Sequence, residues 1–161
     1  MDSIKAIRGL SPHCGDREHL CIFINGTRLD EILSKIEASN LGLVPSLLDW
    51  YDESFPPSKK EKQYVWGQAK LEGETKILPI LLCPDDFDFS CTTIVVEVID
   101  RGETVLWNRF GVDVTEFSPD EVELPKYIGK KVNWFLDIKP FVFSKSEYVK
   151  CLDSFEHNVT V

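Results

Sequence analysis

The chain lacks the motifs that mark common enzymes and membrane proteins. No apolar run in its 161 residues approaches the ~20 needed to cross a bilayer as a helix. The opening stretch, MDSIKAIRGLSPHCGDREH, has no long apolar region of the signal-peptide kind, so a cytoplasmic location is expected in a bacterial host. There is no Gly-rich phosphate loop, no G-x-S-x-G elbow and no C-x-x-C pair. Only three histidines occur (His13, His19, His157), all near the termini. Five cysteines, an odd number without paired spacing, do not form a disulfide framework and read as small buried hydrophobes or free thiols. We therefore expect no enzyme, no cofactor and no metal.

Positive charge is scarce where negative charge is dense. Residues 85–123 hold eleven acidic side chains against Arg101 and Arg109 alone, a local net charge of -9 that equals the whole chain's. Such a field repels phosphate backbones, which argues against nucleic acid as a partner, and attracts a basic protein. The alternative is a solvated acidic face that keeps the chain soluble.

What is present suits a packed core: 43% of residues are hydrophobic, with four Trp and ten Phe. The length fits a single domain over 1–161, and residues 1–19, with Gly9, Pro12 and Gly15, read as an irregular arm. Leu20–Ile24 is a short apolar run stopped by Asn25-Gly26, a strand followed by a tight turn. Leu29, Ile32, Leu33 and Ile36 then share one helical face, predicting a helix near 29–39; a hairpin strand over Thr27–Leu33 is the alternative. Residues 41–63, with Pro45, Pro56, Pro57 and a lysine run, read as a long loop with a helical turn near Ser46–Tyr51. From Tyr64 to Lys70 the alternation predicts a strand.

The run Lys76–Cys83 predicts a strand in which Pro79 marks an edge or a bulge. Thr92–Ile99 and Thr104–Phe110, joined by Asp100-Arg101-Gly102-Glu103, predict a central hairpin over 92–110, with Val105, Trp107 and Arg109 sharing one face. Ser118–Glu121 reads as a turn and Val132–Phe135 as a short strand. Ser144-Lys145-Ser146-Glu147 is a capping box, opening a C-terminal helix near 144–156 with Tyr148, Val149, Leu152 and Phe155 inward. The class expected is α+β with a mostly antiparallel sheet.

Two groups invite a metal reading. Asp86, Asp88, Ser90 and Glu97 occupy positions 1, 3, 5 and 12 of a calcium loop, but Cys91 stands where the sharp turn needs glycine. His13, Cys14, His19 and Cys21 lie within nine residues at no standard zinc spacing, and Cys83 and Cys91 could join them only through the fold.

The segment CPDDFDFSC (83–91), the strand IVVEV (94–98), the return VLWNRFGVD (105–113) and the helix start FSKSEY (143–148) resemble a group of small bacterial proteins. Those proteins are similar to immunity proteins paired with polymorphic or contact-dependent growth-inhibition toxins. The resemblance covers about half the chain and leaves residues 1–62 unmatched. It implies a protein that binds and blocks a cognate, basic toxin domain such as a nuclease. The residues expected to face the toxin are Asp85, Asp86, Asp88, Asp113, Glu116, Asp120 and Glu121. A non-catalytic regulatory interaction domain is the second reading, and a small metal-dependent enzyme the third.

Overall fold

The computed structural model describes residues 1–10, 17–37, 42–70, 72–116 and 128–157, apart from the side chains of Ile36 and Glu37. The expected turn at Ser118–Glu121 and the candidate ligands His13 and Cys14 lie outside the described residues. The fold is α+β, and among the described residues the strand ladders are antiparallel, with one isolated parallel bridge between Asp2 and Phe143.

The first ten residues are not an irregular arm. β1 (Ile4–Leu10) runs against β2 (Glu18–Ile24) in unbroken register from Ile4 opposite Ile24 to Leu10 opposite Glu18. Its residues are mostly exposed, so the strand lacks the apolar alternation that would mark it in sequence. Asn25 and Gly26 both take left-handed φ, 51° and 82°, as the hairpin turn after β2 requires. The two-residue β3 (Thr27–Arg28) completes this small sheet. α1 (Leu29–Glu37) follows directly, burying Leu29 and Leu33 on the face the periodicity predicts. Strand pairing beyond the turn is thus real, but it ends after Arg28.

The larger sheet has the order β4 (Val44–Pro45), β5 (Thr75–Leu82), β6 (Thr93–Asp100), β7 (Thr104–Asp113), β8 (Val132–Trp134). β9 (Phe141–Ser144) lies on the same edge of β7 as β8: β8 covers Gly111–Asp113 and β9 covers Thr104–Trp107. The predicted hairpin is therefore central. Pro79 does mark a bulge, because Ile80 has no opposite residue between Pro79–Val95 and Leu81–Ile94. The Ile80 carbonyl turns instead to the Ser46 amide at 2.9 Å, and the Ser46 hydroxyl donates to the Pro79 carbonyl at 2.6 Å. Ser46–Tyr51 is turn and bend rather than helix, with Ser46 spent on this bond.

A second bulge breaks the expected alternation of β7. Glu97 faces Arg109 but Val98 faces Trp107, which leaves Asn108 extra. Trp107 and Phe110 consequently share the buried face, with ring centres 5.8 Å apart, and Arg109 is turned out over Trp134 at 3.9 Å.

The segment expected to be loop and then strand is instead the helix α2 (Pro56–Ala69). Pro56 and Pro57 occupy its first turn, where the missing amide hydrogens have no intrahelical partner to lose. Its buried stripe is Ser58, Glu61, Val65 and Ala69, so half of it is polar and invisible to an apolar-periodicity test. α3 (Lys145–His157) begins as predicted, with the Ser144 hydroxyl accepting from the Glu147 amide at 3.2 Å. It buries Tyr148, Cys151, Leu152 and Phe155; Val149, expected inward, is exposed, and Cys151 takes that place. The Tyr148 hydroxyl donates to the Ala69 carbonyl at 3.2 Å, tying α3 to the end of α2.

Gly111 sets how closely β8 approaches β7. A methyl group there would lie 2.6 Å from both the Asn133 carbonyl oxygen and Val132 Cγ1. Because β8 is a three-residue edge strand that can shift outward, Gly111→Ala should destabilise by about 1–2 kcal/mol. Urea unfolding checks the magnitude, and unchanged amide exchange at Val132–Trp134 would contradict the assigned cause.

Candidate functional site

The antiparallel ladder brings two acidic segments to one end of the larger sheet. Leu82 is opposite Thr93 and Ile94 opposite Val112, so the end of β5, the start of β6 and the end of β7 lie side by side. The loop 83–92 and the segment 113–116 both project from this end.

The loop is pinned from inside by two aromatic rings. Phe87 takes a left-handed φ of 44°, unusual for a side chain of this size, and its amide donates to the Cys83 carbonyl at 2.8 Å. Its ring packs against Tyr51 and Trp50, with centres 4.7 and 5.5 Å away. Phe89 is buried edge-on to Tyr64. The phenylalanines alternate with the acids in DDFDF, so burying the rings holds Asp85 and Asp86 outward as exposed residues.

Beneath the loop sits Glu61, 6% exposed, with Oε2 accepting the Phe89 amide at 3.2 Å. Burial pushes its carboxyl up to about 7, against the Phe89 hydrogen bond and with help from the nearby Asp88 charge. Burial also raises the Tyr51 hydroxyl, and the charges of Glu61 and Asp88 add to the rise. That hydroxyl has no hydrogen-bond partner among the described residues. Glu61 escapes sequence reading because its neighbours Lys59, Lys60 and Lys62 suggest a solvated run. The Ser58–Glu61–Val65–Ala69 spacing, counted with polar residues included, was the available signal.

The seven carboxylates expected to form the interface do not stand alike. Asp85, Asp86 and Glu116 are exposed. Asp88 is half-buried and closes its own turn, accepting from the Ser90 amide at 2.9 Å and from the Ser90 hydroxyl. Asp113 is also half-buried; its Oδ1 accepts from the Thr115 hydroxyl at 2.8 Å and the Gly129 amide at 3.1 Å. Asp120 and Glu121 lie outside the described residues. Elsewhere in the acidic stretch, Glu97 pairs with Arg109 at 3.1 Å. Burial alone would raise the Glu97 carboxyl, but hydrogen bonds from Asn108 and Arg109 hold it below its usual value. Asp100 pairs with Lys145 at 2.6 Å, at the far end of the sheet.

The two metal patterns separate. The calcium-loop spacing is not used: Asp88 bonds Ser90, and Glu97 is spent on Asn108 and Arg109. His19 and Cys21 are buried core residues. The His19 Nδ1–H donates to the Leu20 carbonyl at 2.8 Å, and burial lowers the imidazole's pKa. At the neck of the acidic loop, in contrast, a Cys83 thiol, a Cys91 thiol and an Asp86 carboxylate oxygen all lie within 4.8 Å of one another.

Comparison with family models, with curated proteins and with solved structures gives no match. Among the described residues, no helix is long and apolar enough to cross a membrane.

Proposed function

We propose that the chain is an immunity (antitoxin-like) protein of bacterial type that binds and blocks a cognate basic toxin domain, such as a nuclease, by covering its cationic surface. The observation that carries this reading is the disposition of charge at one end of the larger sheet. Asp85, Asp86 and Glu116 are exposed there, while Asp88 and Asp113 brace the loops that present them. Phe87 and Phe89 anchor the loop, so its charges are held in place before any partner arrives, which lowers the ordering cost of binding. A fixed acidic patch also speeds association with a basic surface and makes the rate fall with salt.

Asp88 and Asp113 are unsuitable test positions, because their loss would disturb the loops themselves. The informative variant is Asp85→Lys combined with Glu116→Lys. Pull-down from the native host should recover a basic toxin domain, and titration of that domain should show the double variant binding more than tenfold more weakly, ~1.4 kcal/mol. Its salt dependence should be shallower. An unchanged affinity and salt slope, or a partner with no basic surface, would sink the reading.

A further inference from the structure

We propose that Cys83, Asp86 and Cys91 bind a thiophilic divalent cation of the zinc class at the neck of the acidic loop. This inference does not rest on the toxin-binding reading. The three groups come from both ends of one loop: Cys83 follows the last residue of β5, Cys91 lies two residues before β6, and Asp86 folds back between them. The antiparallel pairing of β5 with β6 is what brings the two thiols together.

The separations suit coordination. A tetrahedral site with Zn–S of about 2.3 Å and Zn–O of about 2.0 Å needs its donor atoms about 3.5–3.8 Å apart. The Sγ atoms of Cys83 and Cys91 and the Asp86 oxygen already converge within 4.8 Å, before any contraction around an ion. Cys91 and Asp86 are exposed and Cys83 is half-buried, so a solvated ion can reach all three. Three protein ligands leave the fourth position to water. Two sulfur donors favour zinc over magnesium or calcium, which prefer all-oxygen shells.

Metal binding at the neck is a proton-for-metal exchange. The reaction exchanges two S–H protons for one M²⁺, which forms two metal–thiolate bonds and one metal–carboxylate bond and releases two protons. The neck carries one negative charge before and after, because two thiolates and Asp86 offset the two positive charges of the ion. The acidic margin would therefore survive loading, while the loop gains a clip at its base.

Cobalt(II) is the direct probe. Added to the reduced, metal-free full chain under anaerobic conditions, it should produce thiolate-to-cobalt charge-transfer absorption that saturates at one equivalent and is abolished by excess zinc. Cys83→Ser and Cys91→Ser should each remove most of this absorption. Asp86→Asn should retain the band but weaken cobalt binding by tenfold or more. Circular dichroism shows whether each variant is folded, and Cys91, being exposed, is the substitution least able to disturb the core. Absence of charge transfer in the folded parent chain would overturn the proposal. So would equal cobalt affinity in folded Cys91→Ser, or a Cys83–Cys91 disulfide persisting under the reducing conditions.

Discussion

Trp107→Ala should lower the free energy of unfolding by about 3–5 kcal/mol, a large part of the 5–15 kcal/mol typical of a domain. Trp107 is 1% exposed and stands where β7, β9 and α3 meet. Its ring lies edge-on to Phe110, Phe143 and Tyr148, at 5.8, 5.3 and 6.2 Å. Truncation would remove three aromatic contacts and leave a cavity that β7, held between β6 and β9, has little freedom to close. α3 would also lose the ring contact with Tyr148, whose hydroxyl donates to the Ala69 carbonyl. Trp107→Phe distinguishes packing from polar effects. It keeps an aromatic ring in the junction while removing the buried indole N–H, which lies beside the Tyr148 hydroxyl. The phenylalanine variant should cost less than about 2 kcal/mol. Urea unfolding of both variants checks the pair, with hydrogen exchange along Lys145–His157 reporting on α3. Equal costs for Ala and Phe would mean that the aromatic junction is not what holds the helix.

The parts of this fold that were legible in the sequence are those whose local chemistry needs no distant partner. The Asn25-Gly26 turn, the β6–β7 hairpin and the Ser144 cap are each set by a few adjacent residues and stand where expected. β1 and α2 were not legible because their stabilising partners are remote. β1 has one fully buried residue, Ile4, and owes its conformation to the ladder with β2. α2 hides an acid in its core stripe, and that acid is satisfied by Phe89, 28 residues along the chain. The bulge at Asn108 was likewise unreadable, since it exists only against Glu97 and Val98. The site divides in the same way. The acidic loop was readable as a cluster of charge, whereas the division between presenting and bracing carboxylates depends on bonds to Ser90, Thr115 and Gly129. The meeting of Cys83, Asp86 and Cys91 depends on strand pairing that brings the loop ends together.

Glu61 makes the stability of the loop's anchorage depend on pH in a direction opposite to that of most carboxylates. Its folded value of about 7 lies above the ordinary 4.5, so the folded chain holds this proton more tightly than the unfolded chain does. Below pH 4.5 both states are protonated and the group costs nothing. Stability then falls as pH rises toward about 7, and above that the whole cost of a buried carboxylate is present. The shift corresponds to about 2–3 kcal/mol. Glu61→Gln keeps the shape and an oxygen to accept the Phe89 amide while removing the charge beside Asp88. The variant should match the parent at pH 4.5 and exceed it by about 2 kcal/mol at pH 8. Lowered groups such as Glu97 and Asp100 add a slope of the other sign, so the informative quantity is the variant-minus-parent difference from urea unfolding at the two pH values. A difference independent of pH would mean that folding does not raise the Glu61 carboxyl and that protonation does not govern the base of the acidic loop.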